Sequence, residues 1–136
     1  MKFRSHSSEE DAVRSLIENW AAAVRRKDLT AVLEHHSDDF LMFDLPPPLQ
    51  CAGLAEYEKT WALFYSASPE PVAFDIRDIA ITAGADVAFA AALMRCRVKE
   101  TDGSVSELDF RLTIGLEKIN GAWTIVHEHH SIPAAQ

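Results

Sequence analysis

The side chains best suited to chemistry lie in one short run near the end of the chain, His127-Glu-His-His130. Three imidazoles and one carboxylate stand within four positions, directly after the apolar start of a predicted strand over 123–132. Imidazole exchanges protons near neutral pH and binds metals, and a carboxylate can accept a proton. The run therefore indicates acid–base chemistry or metal binding. The alternative is a set of inert, hydrogen-bonded histidines at a sheet edge or a subunit contact.

The alternation of a β-strand divides this run between two surfaces. One face carries Trp123, Ile125, His127, His129 and Ser131, and the other carries Thr124, Val126, Glu128, His130 and Ile132. Only one face can line a given cavity, so the four polar residues do not all serve one site. A slip of one residue in register exchanges the two faces, so the alternation alone does not identify the inward one.

Metal binding is the less favoured interpretation of the histidines. His127 and His129 share a face, but a zinc site needs three or four ligands, and the chain has no companion CxxC or HExxH motif. We therefore predict no metal and no other cofactor. Cys51 and Cys96 are isolated in the sequence, and we expect both to be free thiols in a reducing compartment.

Composition and charge exclude several classes of partner. The 136 residues fit a single domain over 1–136, and 13 basic against 21 acidic residues give a net charge of −8. Nucleic acids and anionic membranes both require clustered Lys and Arg, so we expect neither as a partner. No apolar run approaches the length of a membrane span, and the N-terminus lacks an apolar signal-peptide core. We therefore expect a cytoplasmic protein.

The first half of the chain carries helical signals around one short strand. Ser7 and Glu10 form a predicted capping box, and the apolar residues that follow have helical spacing: Val13, Leu16, Ile17, Trp20 and Val24. A short second helix is predicted after Asp28, and a third after Gly53. Between them 40–43 is a predicted strand, which the prolines at 46–48 must end, so that Asp44 lies beside its end.

From Val72 onward the apolar residues no longer have helical spacing and instead alternate with a period of two, as in β-strands. Turns are predicted at 83–86, 101–104 and 120–121, and they separate four long strands. The short strand of the first half must join or flank this sheet. The sequence thus predicts an α+β fold in which three helices are followed by a four-stranded meander.

Several segments carry a family resemblance. They are Trp20 with Lys27-Asp-Leu-Thr-Ala31, Ser37-Asp-Asp-Phe40, Phe43-Asp-Leu-Pro46, Gly53, Asp86-Val-Ala-Phe89, Arg111-Leu-Thr113 and 121–131. With this element order, the chain resembles the SnoaL-like and ketosteroid-isomerase-like branch of the NTF2-like superfamily over nearly its whole length. The resemblance implies a cone of three N-terminal helices packed on a strongly curved, mainly antiparallel sheet. It does not select an activity, because the superfamily hosts isomerases, dehydratases, cyclases and non-enzymatic binding modules.

The resemblance also implies positions for a site. Asp44 falls where ketosteroid isomerases have their general base, with Leu45 as a one-residue offset before the proline. Trp20 and Thr113 fall at the two oxyanion-hole positions, where that family has a tyrosine and a protonated aspartic acid. The side chains differ, so the resemblance implies a protein that is not a typical ketosteroid isomerase. Trp61 falls at the position of a second pocket tyrosine.

The same register assigns the faces of the last strand. His130 falls at the position of a pocket tryptophan, so Val126, Glu128 and His130 are expected to face inward. His127 and His129 then face outward, toward the surface where this superfamily commonly packs a second subunit.

The predicted site combines these positions. Asp44 and His130 are the predicted catalytic residues, and the predicted ligand-binding residues are Trp20, Phe40, Trp61, Phe64, Arg111, Thr113, Val126 and Glu128. Each assignment has a structural alternative. Arg111 and Glu128 on adjacent strands could form a buried ion pair that only satisfies both groups. Asp44 could bond turn amides, and the aromatic residues could be core packing.

The functional prediction is a cofactor-independent lyase or isomerase for a small apolar or aromatic ligand. Asp44 and His130 would transfer protons, and Arg111 would hold an anionic or carbonyl group. The alternative is a non-catalytic ligand-binding or association module that forms a homodimer through the outer sheet face, with Trp123 and Ile125 pointing outward. A third interpretation is a metal-dependent enzyme that uses the histidine cluster. The residues identify neither the substrate nor the reaction.

Overall fold

The computed structural model describes residues 7–68 and 73–134. Its elements are α1 (Ser8–Arg26), α2 (Leu29–Leu33), β1 (His36–Phe43), β2 (Cys51–Ala52), α3 (Leu54–Ala67), β3 (Ala73–Ala83), β4 (Val87–Lys99), β5 (Val105–Ile119) and β6 (Ala122–Ser131). Two sequence predictions lie outside the described residues: the start of a strand at Val72, and the end of the third helix at Pro69 and Pro71, which cannot continue a helix.

One six-stranded sheet runs in the order β2-β1-β6-β5-β4-β3. Every neighbouring pair is antiparallel except β1 and β6, which run parallel. The predicted α+β class with a mainly antiparallel sheet is therefore confirmed. The short first strand joins the sheet between β2 and β6, so the chain segment that follows it, with Asp44, lies beside the last strand.

Helix α1 begins as the sequence predicts. The Ser7 side chain accepts a hydrogen bond from the Glu10 backbone N–H at 3.0 Å, which confirms Ser7 as the N-cap. Its apolar stripe, which includes Val13, Ile17 and Trp20, is buried. Asp28 caps α2 in the same way through the Ala31 N–H. Both helices are thus positioned by local signals and then held by burial of one face.

Strand β5 turns its even-numbered residues toward the core. Phe110, Leu112 and Ile114 are buried, whereas Arg111 and Thr113 are exposed on the opposite face. The expected inward position of Arg111 and Thr113 is therefore wrong. Neighbouring side chains on a strand point to opposite faces of the sheet. An error of one residue in the assigned phase therefore moves every side chain of the strand to the wrong face.

Strand β6 contains a β-bulge at Val126. Gly115 of β5 pairs with His127 and Leu116 pairs with Ile125, which leaves Val126 as an extra residue without a partner on β5. Ahead of the bulge Trp123 and Ile125 are buried, and beyond it Glu128 is buried instead. The prediction that Trp123 and Ile125 face outward is wrong, because the bulge shifts the alternation by one residue within the strand.

A tight hairpin brings β5 and β6 together. Asn120 and Gly121 have φ angles of 50° and 80°, as the two central residues of a type I′ turn require. The turn confirms the hairpin predicted at this position. None of the helices in the described ranges is long and apolar enough to cross a membrane.

Candidate functional site

A cavity of about 570 Å³, called here the pocket, lies between α3, the segment after β1 and the inner faces of β4, β5 and β6. Its wall is mainly apolar and includes Met42, Trp61, Phe64, Phe74, Leu108 and Phe110. Asp44 and His130 lie in the same wall, and Lys59 and Glu56 pair at its exposed rim. Cavities of this volume, with apolar walls and few polar groups, are typical of small-molecule sites.

Glu128 lies behind His130 and is completely buried. One of its oxygens, Oε1, accepts a hydrogen bond from His130 Nε2 at 3.1 Å. The other, Oε2, accepts from the Tyr57 hydroxyl at 2.8 Å and from His36 Nε2 at 3.3 Å. Trp20 Nε1 donates to the Tyr57 oxygen at 3.1 Å and extends the network. Every polar group in this buried network therefore has a partner, as burial requires.

The network keeps Glu128 ionised. Burial by itself raises the pKa of this carboxyl, but hydrogen bonds and positive charge from His130 and His36 outweigh it and lower the pKa to about 2. Burial, together with the Glu128 charge, raises the pKa of Tyr57 well above its ordinary value. At neutral pH the carboxylate is thus an acceptor and the phenol is a donor, in agreement with the direction of their hydrogen bond.

His36 balances the buried negative charge. Its Nδ1 lies 2.9 Å from the Glu34 carbonyl oxygen and its Nε2 lies 3.3 Å from Glu128. Both ring nitrogens face oxygen acceptors, so the arrangement is satisfied when both carry hydrogen and the ring is an imidazolium. Its side chain is fully buried, as is that of Glu128, so the protonated ring and the carboxylate form a buried ion pair.

Asp44 and His130 meet at the pocket wall. His130 Nδ1 lies 3.6 Å from Asp44 Oδ1, and the Phe110 ring stacks on the imidazole at 5.5 Å with an interplanar angle of 14°. Asp44 Oδ1 also accepts a hydrogen bond from the Leu45 N–H at 2.8 Å. The alternative considered for Asp44, a bond to a turn amide, is therefore present in addition to its position in the pocket.

The predicted site residues fall into three groups. Asp44, His130, Trp61 and Phe64 line the pocket. Trp20, Phe40 and Glu128 are buried in the layer behind it, where Phe40 packs on the rings of Tyr57 and His36 with centroids 4.4 and 5.1 Å apart. Arg111, Thr113 and Val126 lie elsewhere: Arg111 and Thr113 on the outer sheet face, and Val126 at the bulge.

The expected ion pair between Arg111 and Glu128 is not formed. Arg111 donates to the Ser131 hydroxyl at 3.0 Å on the exposed face, while Glu128 pairs with two histidines inside. Opposite faces of the sheet separate the two groups. The pocket therefore lacks the cation that the sequence analysis assigned to it.

His36 and Tyr57 are the residues that sequence reasoning missed. Neither residue is among the predicted site residues. A usable signal existed for Tyr57, because a hydroxyl on a buried helix face needs a partner. For His36 no local pattern was available, since its partner Glu128 is 92 residues away in sequence.

The outward histidines form a separate group on the outer face. The rings of His127 and His129 flank Phe43 at 5.0 and 5.3 Å, and His127 Nδ1 lies 2.7 Å from the Leu41 carbonyl oxygen. Within 7–68 and 73–134 there is no cluster of three or more side chains that could hold a metal ion.

Comparison with known proteins places this geometry in a family. The family model described as a SnoaL-like domain matches residues 13–135. An NTF2-like protein of unknown function from Pseudomonas putida KT2440 is 29% identical, with 96% of this chain and 90% of that chain covered and a TM-score of 0.84. A search of curated proteins found no match.

Two further structures are similar at lower identity. A ketosteroid isomerase-like protein from Erwinia carotovora atroseptica SCRI1043 is 19% identical, with 93% and 97% of the two chains covered and a TM-score of 0.78. An NTF2-like superfamily protein from Salmonella enterica serovar Typhimurium LT2 is 18% identical, with 97% and 96% covered and a TM-score of 0.81. At these identities the likeness shows a shared fold alone.

Proposed function

The chain belongs to the SnoaL-like domain family of the NTF2-like superfamily, and we propose that its pocket binds a small apolar or aromatic ligand and transfers protons on it without a cofactor. The observation that carries this proposal is the Asp44–His130 pair in the wall of an apolar cavity. Two titratable groups of different type, side by side and largely shielded from water, are the components of general acid–base catalysis.

The geometry supports an isomerase, dehydratase or cyclase type of step. Asp44 removes a proton from a carbon next to a carbonyl group, so that a C–H bond breaks and the electron pair is delocalised onto the carbonyl oxygen. His130 donates a proton to that oxygen or to a departing hydroxyl. The 3.6 Å separation between the two side chains exceeds a hydrogen bond, and such distances commonly shorten when a ligand binds.

The charges around the pocket favour an uncharged ligand. Among the described lining residues Lys59 is the only lysine or arginine, and it pairs with Glu56 at 3.3 Å on the exposed rim. Arg111, which was expected to hold an anion, lies on the other face of the sheet. Asp44 adds negative charge to the wall. A neutral ketone or alcohol therefore fits better than a carboxylate or a phosphate ester.

Exchange of carbon-bound protons tests this proposal. In D2O, 2-tetralone, a neutral bicyclic ketone, should take up deuterium next to its carbonyl faster with the protein than in buffer alone. Asp44→Asn should lower the protein-dependent rate by about 100-fold or more, because it removes the base. Asp39→Asn, at an exposed position of β1, is the matched control and should leave the rate unchanged. Equal rates for Asp44→Asn and wild type would remove Asp44 from the mechanism.

We also propose that two copies associate through the outer sheet face. Val87, Phe89 and Leu93 of β4 are 64%, 51% and 49% exposed on that face, and exposed apolar groups of this kind mark interaction surfaces. Association is compatible with catalysis. It is also the property expected of a non-catalytic binding module, which would bind the ketone without exchanging its protons.

A cytoplasmic location remains part of the proposal. Cys51 and Cys96 are both free thiols, as suits a reducing compartment.

A further inference from the structure

We propose that Glu128 is a positioning residue that selects the reacting nitrogen of His130: the carboxylate holds the Nε2–H and leaves Nδ1 to carry the transferable proton. The inference deepens the proposed proton transfer, and its functional meaning rests on that proposal. Its structural content concerns one side chain and one tautomer, so it can be tested without any substrate.

Hydrogen bonds to both oxygens fix the orientation of the Glu128 carboxylate. Oε2 is occupied by Tyr57 and His36, from α3 and β1, at 2.8 and 3.3 Å. Oε1 is left to His130 Nε2, at 3.1 Å. Glu128 is completely buried, so water does not replace a lost partner. The carboxylate therefore cannot rotate away from His130 without breaking two other hydrogen bonds.

The hydrogen between Glu128 and His130 is bonded to the imidazole. An ionised carboxylate accepts and does not donate, so His130 Nε2 must carry the hydrogen of this bond. The groups that face Glu128 support the ionised form: His36 Nε2 lies 3.3 Å from Oε2, and Tyr57 donates its hydroxyl to the same oxygen at 2.8 Å. Met42 of β1 and Ile114 of β5, its partners across the sheet, are apolar.

The other ring nitrogen of His130, Nδ1, lies at the pocket wall. Nδ1 lies 3.6 Å from Asp44 Oδ1 at the pocket wall, and Phe110 stacks on the ring and holds its plane. Because Nε2–H donates its hydrogen bond to Glu128, the neutral ring has its lone pair at Nδ1. A fixed carboxylate that sets the tautomer of a catalytic histidine is a known device in acyl transfer. Here a glutamate would do so from the buried side of the sheet.

A balanced reaction follows for isomerisation. The ring begins as an imidazolium with Nδ1–H toward the pocket, and Asp44 begins ionised. Asp44 takes the proton from carbon while Nδ1–H protonates the carbonyl oxygen, which gives an enol, protonated Asp44 and neutral His130. In the second half Asp44 returns its proton to a different carbon and Nδ1 takes the proton back from oxygen. Glu128 keeps Nε2–H throughout and exchanges nothing.

The test is a long-range 1H–15N correlation spectrum of the 15N-labelled full chain, recorded without ligand at a pH where the His130 ring is neutral. His130→Gln assigns the signals. We expect a protonated Nε2 and a bare, pyridine-type Nδ1. The opposite tautomer, or an equal mixture of the two, would overturn the inference.

Two variants show whether Glu128 is the cause. Glu128→Met keeps a similar length but has no acceptor, so we expect the preference for the Nε2–H tautomer to be lost. Tyr57→Phe is the matched control, because it removes one bond to Oε2 and leaves Oε1 on His130; the tautomer should persist. An unchanged tautomer in Glu128→Met would overturn the inference. If Glu128→Met does not fold, the inference is still tested by the wild-type and Tyr57→Phe spectra, because an Nδ1–H tautomer in either of them would overturn it.

Failure of this inference and failure of the proposed function give different results. The Nε2–H tautomer without ketone exchange supports the positioning role and removes the proposed activity. Ketone exchange with the Nδ1–H tautomer supports the activity and removes the positioning role.

Discussion

Glu128 shows how a single buried carboxylate can organise the interior around a pocket. Its side chain is satisfied by donors from three elements, Tyr57 on α3, His36 on β1 and His130 on β6. Removing one partner of a buried pair typically costs about 3–5 kcal/mol, because an uncompensated charge remains. The group therefore stabilises the fold in addition to its proposed role at the site.

The first prediction concerns acid stability. The folded pKa of Glu128 is about 2, below its ordinary value of 4.5. A lowered pKa gives stabilisation that is complete above about pH 4.5 and is lost as the pH falls toward 2. The full effect is about 3 kcal/mol of unfolding free energy. Urea unfolding between pH 7 and pH 3 should show that the unfolding free energy of wild type falls more steeply with decreasing pH than that of Glu128→Gln.

The control for this comparison is Glu58→Gln, at an exposed position on α3, which should follow the wild-type curve. Parallel acid curves for wild type and Glu128→Gln would contradict an ionised Glu128 stabilised by the two histidines.

The second prediction separates the two tyrosines of α3. Tyr57→Phe removes the donor to Glu128 and leaves the buried Trp20 N–H without its acceptor, so we expect a loss of about 2–3 kcal/mol in unfolding free energy. Tyr65→Phe removes one hydrogen bond, to the Val24 carbonyl oxygen, at a half-buried position, and should cost about 1 kcal/mol. Equal losses in urea unfolding would show that the buried Tyr57 hydroxyl stabilises the fold no more than the single hydrogen bond of Tyr65.

At the scale of elements, the β6 bulge explains why the sequence analysis assigned some faces correctly and others wrongly. Strict alternation puts Trp123, Ile125 and His129 on one face, whereas the bulge at Val126 buries the first two and leaves His129 outside. A bulge depends on the pairing of two strands, so a single strand pattern does not reveal it. The inward positions of Glu128 and His130 were predicted from the family resemblance, and strict alternation back from them then placed Trp123 and Ile125 on the wrong face.

Local signals, by contrast, were sufficient for the helix starts and the hairpin turn. Ser7, Asp28 and Asn120-Gly121 act through their own neighbours in sequence, and the structure confirms each of them. The pairing of His36 with Glu128 could not be predicted in this way. It requires the parallel contact of β1 with β6, which only the complete sheet provides.

The third prediction tests the start of α1. Ser7→Ala removes the side-chain oxygen that accepts the Glu10 N–H, and it should lower the unfolding free energy by about 1 kcal/mol. Ser8→Ala, one residue later and equally exposed, lacks this capping position and should change stability much less. Thermal or urea unfolding measures both variants. If Ser8→Ala were the more damaging change, the assigned N-cap would be wrong.

The whole molecule is asymmetric about its sheet. The inner face carries the helices, the core and the pocket, while the outer face exposes apolar side chains of β4 and, on the other side of β5, the outward histidines of β6. The order of elements and the fold class were predictable from periodicity and family resemblance. The charge of the pocket could not be predicted in this way, because it depends on which face of β5 carries Arg111.

The fourth prediction concerns association. Sedimentation velocity over a range of concentrations should show a dimer, and Phe89→Asp should raise its dissociation constant by at least about 10-fold, because an unpaired charge would be buried opposite Thr82 and Gly115. Leu49→Asp is the matched control, at a position of the loop between β1 and β2 that is 96% exposed. A monomer at every concentration would contradict association through the outer face.

The most direct test of the central claim is a double-mutant cycle on ketone exchange. The rates of deuterium uptake by 2-tetralone would be measured for wild type, Asp44→Asn, His130→Gln and the double variant. If the two side chains act as one acid–base unit, each single variant loses about 100-fold or more and the double variant loses little beyond that. Losses that add in free energy would show two independent groups. An exchange rate equal to that of buffer for the wild-type protein would contradict the proposed catalysis by this pair.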